Sequence, residues 1–243
     1  MKKLLLISNS TNPGEPYLGW PKPYIKEFLE RYSVTEVLFI PFAGVSLSKV
    51  SLDDSYDVYA QRVASVFEEF GVKIISIHRC SEPVKSITSA QAIAVGGGNT
   101  FHLVHQLHVR GLMEPIRECA MNGMPYMGWS AGSNVACPSL MTTNDMPIIM
   151  PPSFNAMNLV PFQINPHYLD KNPEGHGGET REDRINEFLV INPNVTVVGL
   201  REACLLELRE GKLLHRGSRQ LRLFRSNTAP IELEAETDVS FLL

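Results

Sequence analysis

A serine attacks a carbonyl when its oxygen is held out at a sharp turn, a base lies within hydrogen-bond reach, and amide groups wait for the oxyanion. The stretch PYMGWSAGSNVACP (125–138) offers such a turn. Ser130 follows an apolar run, precedes a helix-like segment, and has Gly128 two residues before it and Gly132 two after. Those glycines keep side chains from colliding where a strand bends abruptly into a helix. The amide of Ala131 then points toward the oxyanion, helped by the helix N-terminus. The pentapeptide by itself is weak, since roughly one chain of this length in ten contains it by chance. Its plain alternative is a helix-capping serine in a tight turn.

A second glycine turn, AVGGGNTFHLV (94–104), also reads as strand, turn and helix. It lacks the lysine of a phosphate-binding loop, and Phe101 breaks the dinucleotide pattern. Its other use is a second oxyanion donor, for which Gly98 is the candidate. The base must come from seven histidines. His102, His105 and His108 recur every third residue, a diffuse helical face of surface or packing groups. His78 and His215 stand without companions. His176, in PEGHGGETRED, is expected in a glycine-rich loop less rigid than that of His167. His167 follows Asn165-Pro166, where proline excludes helix, so it is expected in a rigid loop after a strand. The orienting acid is open between Glu202, just after TVVGL, and Asp145, in the loop after the serine's helix.

The elements that must carry these groups alternate. Strand-like runs fall at 3–8, 36–41, 73–78, 91–95, 125–128 and 195–200, several of them apolar on consecutive residues. That is the signature of parallel strands covered on both faces. Helix-like segments fall at 22–32, 53–70 (with Asp53 as N-cap), 100–109, 112–122 and 180–190. The expected fold is α/β, a doubly wound and mostly parallel sheet flanked by helices. Residues 204–225, with Glu210-Gly211 at a hairpin turn, add antiparallel strands at one edge. No linker or repeat divides the chain, so residues 1–243 are read as one domain.

Composition narrows the partners. The chain has 243 residues, 44% apolar and 20% charged, with a net charge of −4 and no basic run. It carries no electrostatic footprint for nucleic acid or an anionic membrane. The apolar start LLLI is too short for a secretory signal. The four cysteines are scattered without a C-x-x-C pair, which argues against a disulfide framework or a zinc site and for a reducing cytoplasm. Whether the chain is a monomer or a small homo-oligomer is open at this level.

LLLISNSTNPG, FIPFAGV, VGGGNTFHL, GWSAGSN, TTNDMPI, QINPH and the EGH and GETREDRI segments occur in one order across residues 3–200. In this order and spacing they resemble the peptidase E family of serine hydrolases. The resemblance implies a class I glutamine amidotransferase-like fold and cleavage of dipeptides with an N-terminal aspartate, with no metal or cofactor. It implies Ser130 as nucleophile, His167 as base, and Gly98 and Ala131 as oxyanion-hole amides. Glu202 matches the acid of the triad, and Asp145 matches an aspartate also given that role; Glu202 is favoured because it follows a strand. Arg181 matches the arginine that pairs with the substrate's aspartate side chain. Two departures stand out: Arg201-Glu202-Ala203 replaces the family's Pro-Glu-Gly, and Ser133 replaces a common alanine. The alternatives are a cyanophycinase-like hydrolase of β-aspartyl bonds and a non-catalytic small-molecule binding domain.

Overall fold

The computed structural model describes residues 1–175 and 177–243. Five strands form its parallel centre: β1 (Leu4–Ile7), β2 (Glu36–Ile40), β3 (Lys73–Ser76), β4 (Ile93–Val95) and β5 (Tyr126–Trp129). Their apolar runs are continuous because both faces are covered. Leu4 and Leu6 join one core cluster while Leu5 and Ile7 join the other. The first cluster packs beneath helices α4 (Thr100–Val109) and α5 (Met113–Met121), through Leu103, Leu107 and Ile116. The second packs against α1 (Lys22–Arg31) and α2 (Leu52–Glu68), through Ile25, Phe28, Val63 and Phe67. A short helix α3 (Pro83–Ser89) follows β3, and α6 (Ala131–Asn134) follows β5.

β8 (Cys204–Arg209) pairs antiparallel with β1, and β9 (Lys212–Gly217) pairs with β8. The turn between them has Glu210 at φ 51° and Gly211 at φ 79°, the conformation that a tight two-residue hairpin needs. With β12 (Thr237–Asp238) the order is β12-β9-β8-β1-β5-β4-β2-β3, so the antiparallel strands lie at one edge as expected.

Several expectations need correction. The single sheet becomes two. A four-stranded sheet, β11-β10-β7-β6, is built from β6 (Gln163–Tyr168), β7 (Val197–Arg201), β10 (Leu221–Phe224) and β11 (Ile231–Leu233). β6 runs on through His167, where a loop after a strand was expected; Pro166 pairs in register with Leu200 on this edge strand. Helix α7 (Arg181–Ile191) covers this sheet through Ile185 and Leu189. Thr180 and Asp183 close its N-terminus as a capping box. The N-cap of α2 is Ser51, whose side chain accepts from the Asp54 amide, and Asp53 lies in the first turn instead. His78 lies in a short 3-10 turn after β3 and bonds Asp57 and Ser76.

Candidate active site

β5 is clamped between β1 and β4 in parallel register, so its carboxyl end is fixed on both sides. There the chain turns sharply. Ser130 has φ 54° and ψ −112°, a conformation that costs a non-glycine residue about 1–3 kcal/mol. The bend brings α6 onto the strand so closely that a Cβ on Gly128 would run into the Gly132 carbonyl, and one on Gly132 into that of Val95. Ser133 ties the start of α6 back, its hydroxyl lying 2.7 Å from the Ile7 carbonyl and 2.8 Å from that of Gly128. The strain at Ser130 is therefore held by a turn with no room to relax.

The imidazole comes from the second sheet. His167 lies inside β6, at an irregularity in its pairing with β7, with φ 52°. It was expected in a loop after a strand; the bulge is what aims it. Its Nε2 is 3.0 Å from Ser130 Oγ, and its Nδ1 is 2.8 Å from Glu202 Oε1. Glu202 stands directly after β7, which runs parallel to β6. Serine, histidine and glutamate thus form one continuous chain of polar contacts across the two sheets. With Nδ1 donating to the carboxylate, Nε2 is left as an acceptor facing the serine hydroxyl.

Gly98 has φ 131°, and a side chain there would collide with the Ala43 carbonyl. The glycine loop is held by Tyr59, whose hydroxyl donates to the Gly97 carbonyl at 2.9 Å and accepts from Trp129 Nε1 at 3.0 Å. Among the described residues neither the Gly98 nor the Ala131 amide has a protein acceptor. Both are free to receive charge from a ligand.

Ser130, His167 and Gly98 line a cavity of about 630 Å³, together with Tyr17, Arg62, Asp145 and Arg181. That size suits a small ligand (clefts of roughly 300–1,000 Å³ are usual). Arg181, the first residue of α7, forms no ion pair among the described residues. Burial lowers its pKa, Arg184 adds to that, and Asp145 opposes both. Asp145 lies away from the imidazole in its bonding: its Oδ2 accepts from the Thr100 amide at 2.7 Å and the Thr100 hydroxyl at 2.6 Å, at the start of α4.

Two residues escaped the reading of the sequence. The Ser8 hydroxyl accepts from the His167 amide at 3.0 Å and donates to the Leu200 carbonyl at 2.7 Å. Asn9 Oδ1 accepts from the Ala203 amide at 2.9 Å, beside Glu202. Both follow β1, so polar residues at the carboxyl end of a central strand were the available signal. The other histidines lie elsewhere: the His102 ring bonds the Phe42 carbonyl and that of His215 bonds Glu234, while His105 and His108 bond the carbonyls of Met150 and Asn155. His176 falls outside the described residues. Among the described residues no cluster of three or more metal-ligating side chains occurs, and no helix is long and apolar enough to cross a membrane.

Residues 4–215 match the sequence profile of Peptidase family S51. Peptidase E of Nostoc sp. (strain PCC 7120) is 46% identical over 242 residues, covering 100% of this chain and 97% of that protein. Peptidase E of Shigella flexneri is 43% identical over 233 residues, covering 96% and 98%. The crystal structure of a peptidase from an acI-B1 Actinobacterium shares the fold, with a TM-score of 0.71 and 17% identity over 99% of this chain and 97% of that one. The chain belongs to Peptidase family S51 and is a serine peptidase.

Proposed function

We propose that this peptidase is an aspartyl dipeptidase, cleaving Asp-X dipeptides in the cytoplasm through Ser130, His167 and Glu202. One observation carries the reading: the continuous Ser130–His167–Glu202 contact chain opens into a small cavity that also holds Arg181, which has no ion pair among the described residues. A guanidinium pairs with a carboxylate through two parallel hydrogen bonds, which favours aspartate over neutral side chains at the acyl position.

The reaction follows from these positions. Arg181 holds the side-chain carboxylate of the substrate. His167 Nε2 takes the Ser130 proton as Oγ attacks the scissile carbonyl. Glu202 keeps the proton on Nδ1 and steadies the imidazolium. The amides of Gly98 and Ala131 receive the oxyanion. The imidazolium then protonates the leaving amine, leaving an acyl-enzyme. Water, deprotonated by the same imidazole, resolves it and restores the serine.

The test is hydrolysis of Asp-Leu, its β-linked isomer, Asn-Leu and Glu-Leu by the purified protein. Cleavage of Asp-Leu alone is expected. Preference for the β-linked isomer would favour a cyanophycinase-like specificity, and cleavage of none would overturn the proposal.

A further inference from the structure

We propose that Arg201 is a positioning residue for the catalytic histidine: its guanidinium clamps β6 on the far side of the His167 bulge and so holds the imidazole between Ser130 and Glu202. This inference rests on the Ser130–His167–Glu202 reading and adds to it a group that touches none of the three side chains. Two successive residues of β7, Leu200 and Arg201, pair with Pro166 and Tyr168 of β6, so His167 is the extra residue between them. Its φ of 52° is sparsely populated by residues with a side chain, and such a conformation persists only where the surroundings over-determine it. Ser8 holds the His167 amide itself. Arg201 holds the chain that follows. Glu202 comes directly after Arg201, so the residue that grips the histidine's strand also carries the backbone of the acid.

The contacts of Arg201 suit that task. The side chain is buried and uses every N–H donor of its guanidinium. Nε and Nη2 grip Asp170, two residues past the end of β6, with Nε 2.9 Å from Oδ2. Nη1 donates to the Gln220 carbonyl at 2.8 Å and to Glu232 Oε2 at 2.7 Å, and Nη2 donates to Glu232 Oε1 at 3.0 Å. The guanidinium carbon lies 5.6 Å from the centre of the ring of Tyr168, the residue directly after His167. The bulged strand is thereby tied to β7 and β11 at once. A planar fork fixes direction as well as distance, which neither a lysine nor a proline, the residue of the resembling family at this position, can do. Hydrogen bonds from Arg201 hold the Asp170 carboxyl below the usual carboxylate range, so the clamp is closed at neutral pH.

The test compares the full-length wild type with Arg201→Met, Arg201→Lys, Asp170→Asn, Glu202→Gln and the Arg201→Met/Glu202→Gln double variant. Two rates are read: phosphonylation of Ser130 by a fluorophosphonate, which needs no dipeptide specificity, and hydrolysis of Asp-Leu. Melting temperatures set an assay temperature at which every variant is folded. Arg222 lies 3.7 Å from Asp170 and 3.5 Å from Glu232, so both carboxylates keep a cation when Arg201 is replaced. In Arg201→Met both rates are expected to fall roughly 10- to 100-fold, through kcat with KM changed less than about threefold, the order of loss that a misplacement of about 1 Å brings. Arg201→Lys keeps the charge without the fork and recovers part of the rate, and Asp170→Asn shifts both rates in the same direction as Arg201→Met. In the Glu202→Gln background, Arg201→Met is expected to cost less than about threefold more, because the contact it protects is already gone. Unchanged rates in folded Arg201→Met, or an equal loss in both backgrounds, would overturn this inference alone. Near-full rates in Glu202→Gln would overturn the triad reading and this inference with it.

Discussion

Glu202 Oε1 lies 2.8 Å from His167 Nδ1, on the side of the ring opposite Ser130. The carboxylate thus meets the nitrogen whose proton decides which tautomer faces the serine. Glu202→Gln is expected to keep the fold and lower kcat by roughly 10²- to 10⁴-fold, since an amide can hold the wrong tautomer. Asp145→Asn is expected to lower kcat far less, because Asp145 bonds Thr100 and not the imidazole. Steady-state kinetics of both variants on Asp-Leu decide between the two carboxylates; near-full activity in Glu202→Gln removes Glu202 from the mechanism.

Strain at the nucleophile predicts a trade of stability for activity. Ser130→Ala and Ser130→Gly are both expected to abolish turnover. Only glycine relaxes the φ of 54°. Ser130→Gly is therefore expected to be more stable than Ser130→Ala by about 1–2 kcal/mol in urea unfolding. Equal stability would mean that the turn carries no such strain.

Arg181→Met removes one of the two guanidinium groups lining the cavity while keeping an unbranched apolar stem. Hydrolysis of Asp-Leu is expected to lose about 10²-fold in kcat/KM, and preference over Asn-Leu to fall by a similar factor. Retained preference for aspartate would move the carboxylate site elsewhere in the cavity, with Arg62 as the next group to test.

Ala203 stands at φ 61°, where the resembling family has glycine. Its amide is held by Asn9 and it follows Glu202 directly, so it cannot relax without disturbing the acid. Ala203→Gly relieves the left-handed cost but restores freedom to the unfolded chain. The net expectation is a gain of about 0.5–1 kcal/mol, read as a rise in melting temperature with kcat unchanged.

Burial lowers the pKa of both His102 and His215, against the opposing effect of the carbonyls they bond. Unfolded, each takes a proton near pH 6.5. Folded, each stays neutral to lower pH, so the unfolded chain binds more protons in between. Stability from these groups is full above about pH 6.5 and is lost as the pH falls through the lowered folded values. Calorimetry at pH 6 in buffers of different ionisation enthalpy is expected to show proton uptake on unfolding, diminished in His215→Gln.

Much of this protein was determined by local pattern. The apolar runs and their alternation with helices require a parallel sheet covered twice, because consecutive apolar residues must be buried on both faces. Ser130 between its glycines, and the triple-glycine loop holding Gly98, follow from steric limits that act within a few residues. The tertiary structure alone decided what lies farther away. Whether Glu202 or Asp145 meets the imidazole depends on β6 and β7 pairing in a separate sheet and on a bulge at His167. The sequence put a loop where β6 continues through His167, and spacing along a chain carries no distance across two sheets. Ser8 and Asn9 were silent for the same reason: their partners lie more than 150 residues away, and only packing brings them together.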